Sequence, residues 1–312
     1  MTPEQITYLV FGVVVILALI FDLGLLSKKS TQISIKKALY QTLFWVSLAL
    51  GFFVFMWFED GSTKALEYLS AYLMEWSLSI DNIFVFILIF GFFGVKESYI
   101  PRVLLIGILM AIVFRIIFIA VGIELVTRFG WLLYIFGAIL VYTGISMFRA
   151  SHDEEVDMNE NKVYKFLKKV VPLVAHDGEG RFRVKIDGKT FYTTTFVVVV
   201  MLATTDIVFA LDSIPAVFAI STDKMVIYTS NIFAVLGLRS LFFLLKGAAN
   251  KFQYLQHGIA IVLVYIGLKM LVTYFHIHIP IYISLGVIVL CITGSILYSL
   301  MVNKRLEKQN KQ

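Results

Sequence analysis

The chain contains a single cysteine, Cys291, which excludes an intrachain disulfide and a cysteine-based metal centre. Its five histidines form no HExxH-like ligand pair. No P-loop, GxSxG or GxGxxG stretch occurs, so none of the nucleotide, hydrolase or dinucleotide signatures is met. An enzyme is not expected. Charge is scarce as well: 15% of the 312 residues are charged against 59% hydrophobic, and mean hydropathy is +0.87. So little charge cannot cover the surface of a soluble domain. The alternating ten-residue segments of a membrane β-barrel are missing too. The net charge of +6 does not call for nucleic acid, because basic residues at membrane edges account for it.

What is present is a series of long apolar runs, each sufficient for a hydrocarbon core of about 30 Å. Nine spans are predicted, over 6–26, 38–58, 66–93, 103–123, 130–149, 194–221, 226–247, 254–275 and 279–301. The fold class is all-α: a polytopic transmembrane helical bundle. The first span is not read as a cleaved signal, because MTPEQ carries no positive charge and basic residues follow the span. With the N-terminus outside, the cytoplasmic segments hold 21 of the 27 Lys and Arg residues, and the exterior loops hold only Lys64, Arg128 and Lys224. The positive-inside rule then places the C-terminus in the cytoplasm. The expected location is the plasma (inner) membrane.

One connection is long. Residues 150–193 form a polar cytoplasmic insert that opens on the acids Asp153, Glu154, Glu155 and Asp157. NKVYKFLKKVVPLV reads as a basic amphipathic helix ended by Pro172. RFRVKIDGKTFYTT reads as a hairpin turning at Asp187-Gly188.

The spans repeat. Aligning Asp81 with Asp212 places Glu75 on Asp206, Asn82 on Ser213 and Ile83 on Ile214. VFRIIFIAVG, with Arg115, then matches GLRSLFFLLKG, with Arg239, and VYTGISMF at 141–148 matches VYIGLKML at 264–271. Residues 66–149 thus correspond to 194–275, with opposite orientation in the membrane: an inverted 3+3 repeat. The remaining organisation is two N-terminal spans in 1–65, the insert, and a last span with a basic tail in 276–312. Inverted repeats are common in secondary transporters, whose sites lie near the midplane between the halves.

The acids sit within this repeat. An ionised side chain near the bilayer centre costs about 2.5–3.5 kcal/mol, so four cost on the order of 10 kcal/mol, as much as the stability of a domain. Protons, cationic side chains or a bound cation must offset that. Arg115 and Arg239 can balance two acids; Lys269 can reach a third or snorkel to the cytoplasm. The plainer reading makes these charges helix–helix glue. The functional reading is a site for a hard divalent cation, which carboxylate and amide oxygens suit. Glu75 and Asn82 share a helix face with Ser79 nearby, and Asp206 and Ser213 do likewise, with Asp81 and Asp212 alongside. Pro215 is expected to free the carbonyl of Leu211. Empty, such a cluster is expected to hold protons that metal entry displaces, which makes cation/proton exchange the matching coupling.

These stretches resemble the TerC family, including its Alx-type members: EWSLSIDNIFVF, ATTDIVFALDSIPAVFAIS, YTSNIFAVLGLR, YIGLKML and the earlier FDLG. The resemblance covers nearly the whole chain. It implies an inverted-repeat exporter of the LysE type that moves Mn²⁺ as transported ion rather than bound cofactor, with Ca²⁺ or Mg²⁺ as alternatives. It also implies Glu75, Asp81, Asn82, Asp206, Asp212 and Ser213 as metal positions; the charge-balancing role of Arg115, Arg239 and Lys269 rests on the charge count above. The ExGD(K/R)(T/S) motif of another exchanger family is absent. The expected partners are the divalent cation and the lipid bilayer, with no nucleic acid; a homo-oligomer is compatible. The alternative is a non-transport partner in membrane-protein insertion or a tellurite-stress complex.

Overall fold

The computed structural model describes residues 3–27, 34–149, 162–174, 176, 178–186, 188–246, 254–275 and 279–309. Within these helices the side chains of Asp22, Asp81, Phe84, Leu211 and Asp212 lie outside the described part, as do the acids at 153–157 and the histidines at 276 and 278. Among the described residues, eleven α-helices and one hairpin follow in chain order: α1 Pro3–Ser27, α2 Ile35–Glu59, α3 Ser62–Phe92, α4 Ile100–Arg128, α5 Leu132–Arg149, α6 Lys162–Val170, β1 Arg183–Ile186, β2 Lys189–Tyr192, α7 Thr194–Ile220, α8 Lys224–Leu236, α9 Leu238–Lys246, α10 Leu255–Val272 and α11 Ile281–Gln309.

Local chemistry sets the boundaries. Ser34, Thr193 and Asp223 accept backbone N–H bonds at the starts of α2, α7 and α8, and Pro101 occupies the first turn of α4, where no donor is lost. Gly61, at φ +94°, makes the reversal between α2 and α3 that a side chain would resist. Among the described residues, α2, α3, α4, α7, α10 with its 3₁₀ extension, and α11 are long and apolar enough to cross a membrane. The α8–α9 pair, a broken span or a re-entrant loop, brings these six candidates to at most seven against the nine expected, and α1 and α5 contribute shorter apolar stretches at Gln5–Ala18 and Leu132–Phe148.

The seventh span is a correction. It was expected as one helix over 226–247, but it breaks at Gly237 with a 42° bend. Glycine is about 1 kcal/mol poorer than alanine in a helix, and the Gly237 carbonyl accepts from both Ser240 Oγ at 2.9 Å and Leu241 N at 3.1 Å. By contrast α7 runs through Pro215 without ending. The hairpin forms as read, with Ile186 opposite Lys189 and Gly188 at φ +78°. The amphipathic helix also forms, as α6, ahead of Pro172.

The packing centres on α3 and α7, which touch each other; α3 also packs on α8, α4 on α7, and α5 on α10. The α5–α10 crossing is close because it is built on glycines. A Cβ on Gly144 would sit 2.7 Å from the Ala260 carbonyl, and one on Gly267 would sit 2.6 Å from the Gly137 carbonyl. Under the sequence correspondence, Gly137 matches Ala260 and Gly144 matches Gly267, so each contact maps onto the other. Gly144 against Val264, and Gly267 against Val141, obey the same exchange. At the other side of the bundle, Phe52 of α2 packs against Phe233 of α8 at 5.0 Å and Tyr68 of α3 at 5.4 Å.

The two ends of the bundle are distinct. One end carries the insert: Tyr164 of α6 meets Phe93 at 5.1 Å, and Lys246 meets Glu97 at 2.8 Å. The opposite end carries Thr7 bonded to Asp60 at 2.7 Å and Lys64 paired with Asp223 at 2.7 Å.

Candidate functional site

Arg115 lies on the face of α4 that also buries Leu104, Ile108 and Ala111, so the helix carries its guanidinium into the middle of the bundle. There it is 1% exposed. Nη1 donates to Glu75 Oε2 at 2.5 Å and to Asn231 Oδ1 at 2.9 Å. Nε and Nη2 fork onto Asp206 Oδ2 and Oδ1, each at 3.2 Å. One planar side chain therefore ties α4 to α3, α7 and α8. A lysine could not do this, because its three donors leave from one point.

The partners are equally buried. Glu75 and Asn231 are 0% exposed and Asp206 is 1%. Glu75 and Asp206 are the two acids that the repeat makes equivalent, and a single arginine bridges them. The described cluster holds two carboxylates and one guanidinium, a surplus of one negative charge. Among the described residues, two of its polar atoms, Glu75 Oε1 and Asn231 Nδ2, find no partner, and neither do Ser79 Oγ on α3 and Ser213 Oγ on α7. Such atoms are costly in a dry interior unless water, a proton or an ion completes them.

Other predicted residues are placed as follows. Asn82 and Ser213 are buried on α3 and α7, at 3% and 2% exposure. Asp81 and Asp212 belong to the same two helices, but their side chains lie outside the described residues. Among the described residues, no three His, Cys, Asp or Glu side chains form a metal cluster. Arg239 is buried on α9, just past the Gly237 break. Lys269 lies in the last turn of α10, where the charge of Glu67 attracts it. Glu67 is eight residues before Glu75, about 12 Å along α3. It also accepts from Ser221 Oγ at 2.6 Å, which ties α3 to the C-cap of α7.

Sequence reading missed Asn231 and Glu67. Asn231 carries the same signal as the acids, a polar side chain within a strongly apolar run, Tyr228–Leu236. Glu67 is the second residue of the expected span 66–93, where position alone does not mark an acid as buried. A crevice of about 210 Å³ runs along Phe86, Leu104, Gly107, Ile108 and Leu202 to Asp206. It approaches the cluster from the insert end but is too narrow to pass a water molecule.

The model of the integral membrane protein TerC family matches residues 60–307. The chain belongs to the TerC family. The match begins at the α2–α3 turn and takes in every residue of the Arg115 cluster. A protein of Salmonella typhi named "Putative membrane-bound redox modulator Alx" is 39% identical over 308 residues, 96% of this chain and 95% of its own length. The Escherichia coli (strain K12) protein of the same name is 38% identical over 308 residues, with 96% and 95% covered. An uncharacterized membrane protein of Rickettsia felis is 39% identical over 295 residues, covering 95% and 97%. No solved structure matches.

Proposed function

We propose that this TerC-family protein is a secondary transporter that exports a divalent cation, foremost Mn²⁺, from the cytoplasm in exchange for protons. The observation that carries the reading is the buried Glu75–Arg115–Asp206 bridge with its surplus negative charge and uncompleted oxygens. Counted along the repeat in the sequence, the acids Glu75, Asp81, Asp206 and Asp212 are set against two arginines, Arg115 and Arg239. Four acids and two arginines leave two negative charges, which one divalent ion or two protons neutralise. Helix glue alone needs no such surplus.

In this reading Arg115 is an internal counter-ion. It holds Glu75 and Asp206 together while the cation is absent. A divalent ion brings twice its charge on a smaller radius, so it competes for the same carboxylates, with Asp81, Asn82, Asp212 and Ser213 adding oxygens. Entry is from the insert end, where the crevice toward Asp206, closed to water in this conformation, must widen for the cation to pass. The reciprocal contacts at the α5–α10 crossing support inverted halves that could rock against each other and move access from one face to the other. The membrane is the plasma membrane with the insert in the cytoplasm, as the basic loops indicate.

A second reading takes its cue from the relatives named as redox modulators: a membrane partner without transport. An intrachain dithiol is not available for it, since Cys291 is the sole cysteine. The test is Mn²⁺ flux in proteoliposomes, wild type against Asp81→Asn and Asp212→Asn. Flux in the wild type, abolished by either change in folded protein, is the expected result. A folded wild type that carries no Mn²⁺, Ca²⁺ or Mg²⁺ under any proton gradient overturns the transporter reading in favour of the partner role.

A further inference from the structure

We infer that one flank of α6 is a docking surface for anionic phospholipid headgroups on the insert side of the membrane. The helix has nine residues, four of them lysine and none acidic. Its buried side faces the bundle. Leu167 is 8% exposed, α6 packs against α7, and Tyr164 lies edge-on to Phe92 and Phe93, at the end of α3, at 6.3 and 5.1 Å. Phe166 and Val170 do not share in this. They are one turn apart, on a stripe beside the buried one, and are 62% and 61% exposed. Lys165, Lys168 and Lys169 occupy the remaining arc and are exposed.

This combination has a specific partner. The apolar arc of α6 is wider than the bundle covers, and the part left over borders the lysines. Unlike the spans, α6 lies outside the hydrocarbon-crossing helices, so lipid tails do not already account for its exposed phenylalanine. Because Tyr164 seats on the last turn of α3, α6 is held at the edge of the bundle where the headgroups of that leaflet lie. An amphipathic helix in that position buries its apolar flank at the headgroup–acyl boundary and places its lysines among phosphates. Each lysine near an anionic surface favours the contact about fivefold, and salt weakens it. The inference does not depend on what the protein transports.

The sole native cysteine makes the test direct. In a Cys291→Ser background, nitroxide labels are placed at Phe166→Cys, Val170→Cys and Lys165→Cys, and the protein is reconstituted in nanodiscs of phosphatidylcholine with or without phosphatidylglycerol. The labels at 166 and 170 are expected to be more accessible to oxygen than to a water-soluble nickel chelate. That contrast should rise with phosphatidylglycerol and fall with added salt, while the label at 165 stays in water. Phe166→Trp, quenched by lipids brominated high on the chain, should give the same result without a label. Labels at 166 and 170 that behave like the one at 165 would overturn the inference. An equal contrast in both lipid mixtures would overturn it too, because the lysines would then contribute nothing.

Discussion

Arg115 grips Asp206 in a side-on fork, with both N–O distances at 3.2 Å, although 91 residues separate them and the sequence correspondence sets them in different halves. With Glu75 on the same guanidinium, it ties α3, α4 and α7 through one buried charge cluster. Removing one partner of a buried ion pair typically costs about 3–5 kcal/mol, because the other charge is left without compensation. Arg115→Gln is therefore expected to destabilise the protein by about that amount. Arg115→Lys, which keeps the charge and loses the fork, should fall between it and wild type. Adding Glu75→Gln and Asp206→Asn to Arg115→Gln should recover most of the loss. Denaturant unfolding in detergent measures each step. An Arg115→Gln protein as stable as wild type would mean the acids do not rely on the arginine.

The glycines of the α5–α10 crossing allow a test of symmetry by stability alone. Gly144→Ala and Gly267→Ala each drive a methyl to within 2.7 Å of a facing backbone carbonyl, which cannot yield as a side chain would. The helices must separate, at about 1–3 kcal/mol for overpacking. Because the two contacts exchange under the repeat, the two losses should be similar. Gly91→Ala, with open space around it, is the control. A large loss for one glycine and none for its mate would rule out a two-fold relation at this crossing.

Much of the architecture was legible because membranes restrict the options: an apolar run of sufficient length has to be a helix. The hairpin at Gly188 and the helix before Pro172 followed from turn chemistry and charge pattern. The bend at Gly237 did not, because hydrophobicity continues across it and a glycine inside an apolar run does not by itself say whether the helix breaks. The acids at 75 and 206 stood out by their cost in lipid. Sequence spacing could not say that one arginine would bridge both. For Lys269, reach along a helix does not say which acid waits at each end; here Glu67 is the carboxylate whose charge acts on it.

The clasp between Lys246 and Glu97 at the insert end makes a pH-dependent contribution of known sign. The hydrogen bond and charge of Lys246 hold the Glu97 carboxyl below its ordinary value of 4.5. A carboxylate lowered in the folded state stabilises above its unfolded value and loses that contribution as pH falls through the folded one. Wild type should therefore exceed Glu97→Gln in thermal stability at neutral pH, and the two should converge on acidification below 4.5. The gap should be small and should narrow in high salt, since Glu97 is exposed. A gap that persists unchanged at low pH would show that the clasp is not what Glu97 contributes.

Charge balance in the repeat also sets the stoichiometry of exchange. If four acids and two arginines are neutralised either by one divalent ion or by two protons, each full cycle moves no net charge. Mn²⁺ flux driven by a pH gradient should then be insensitive to an imposed membrane potential, since each elementary charge moved would otherwise contribute about 2.3 kcal/mol per 100 mV. Potassium diffusion potentials of either sign, set with valinomycin in proteoliposomes, provide the measurement. A rate that rises with one sign and falls with the other would mean unequal charges cross. In that case Arg115 or Arg239, rather than protons alone, would have to leave the acids uncompensated for part of the cycle. Neutralising Arg239 and repeating the measurement would locate the extra charge, because the residual voltage dependence must change if that arginine carries it.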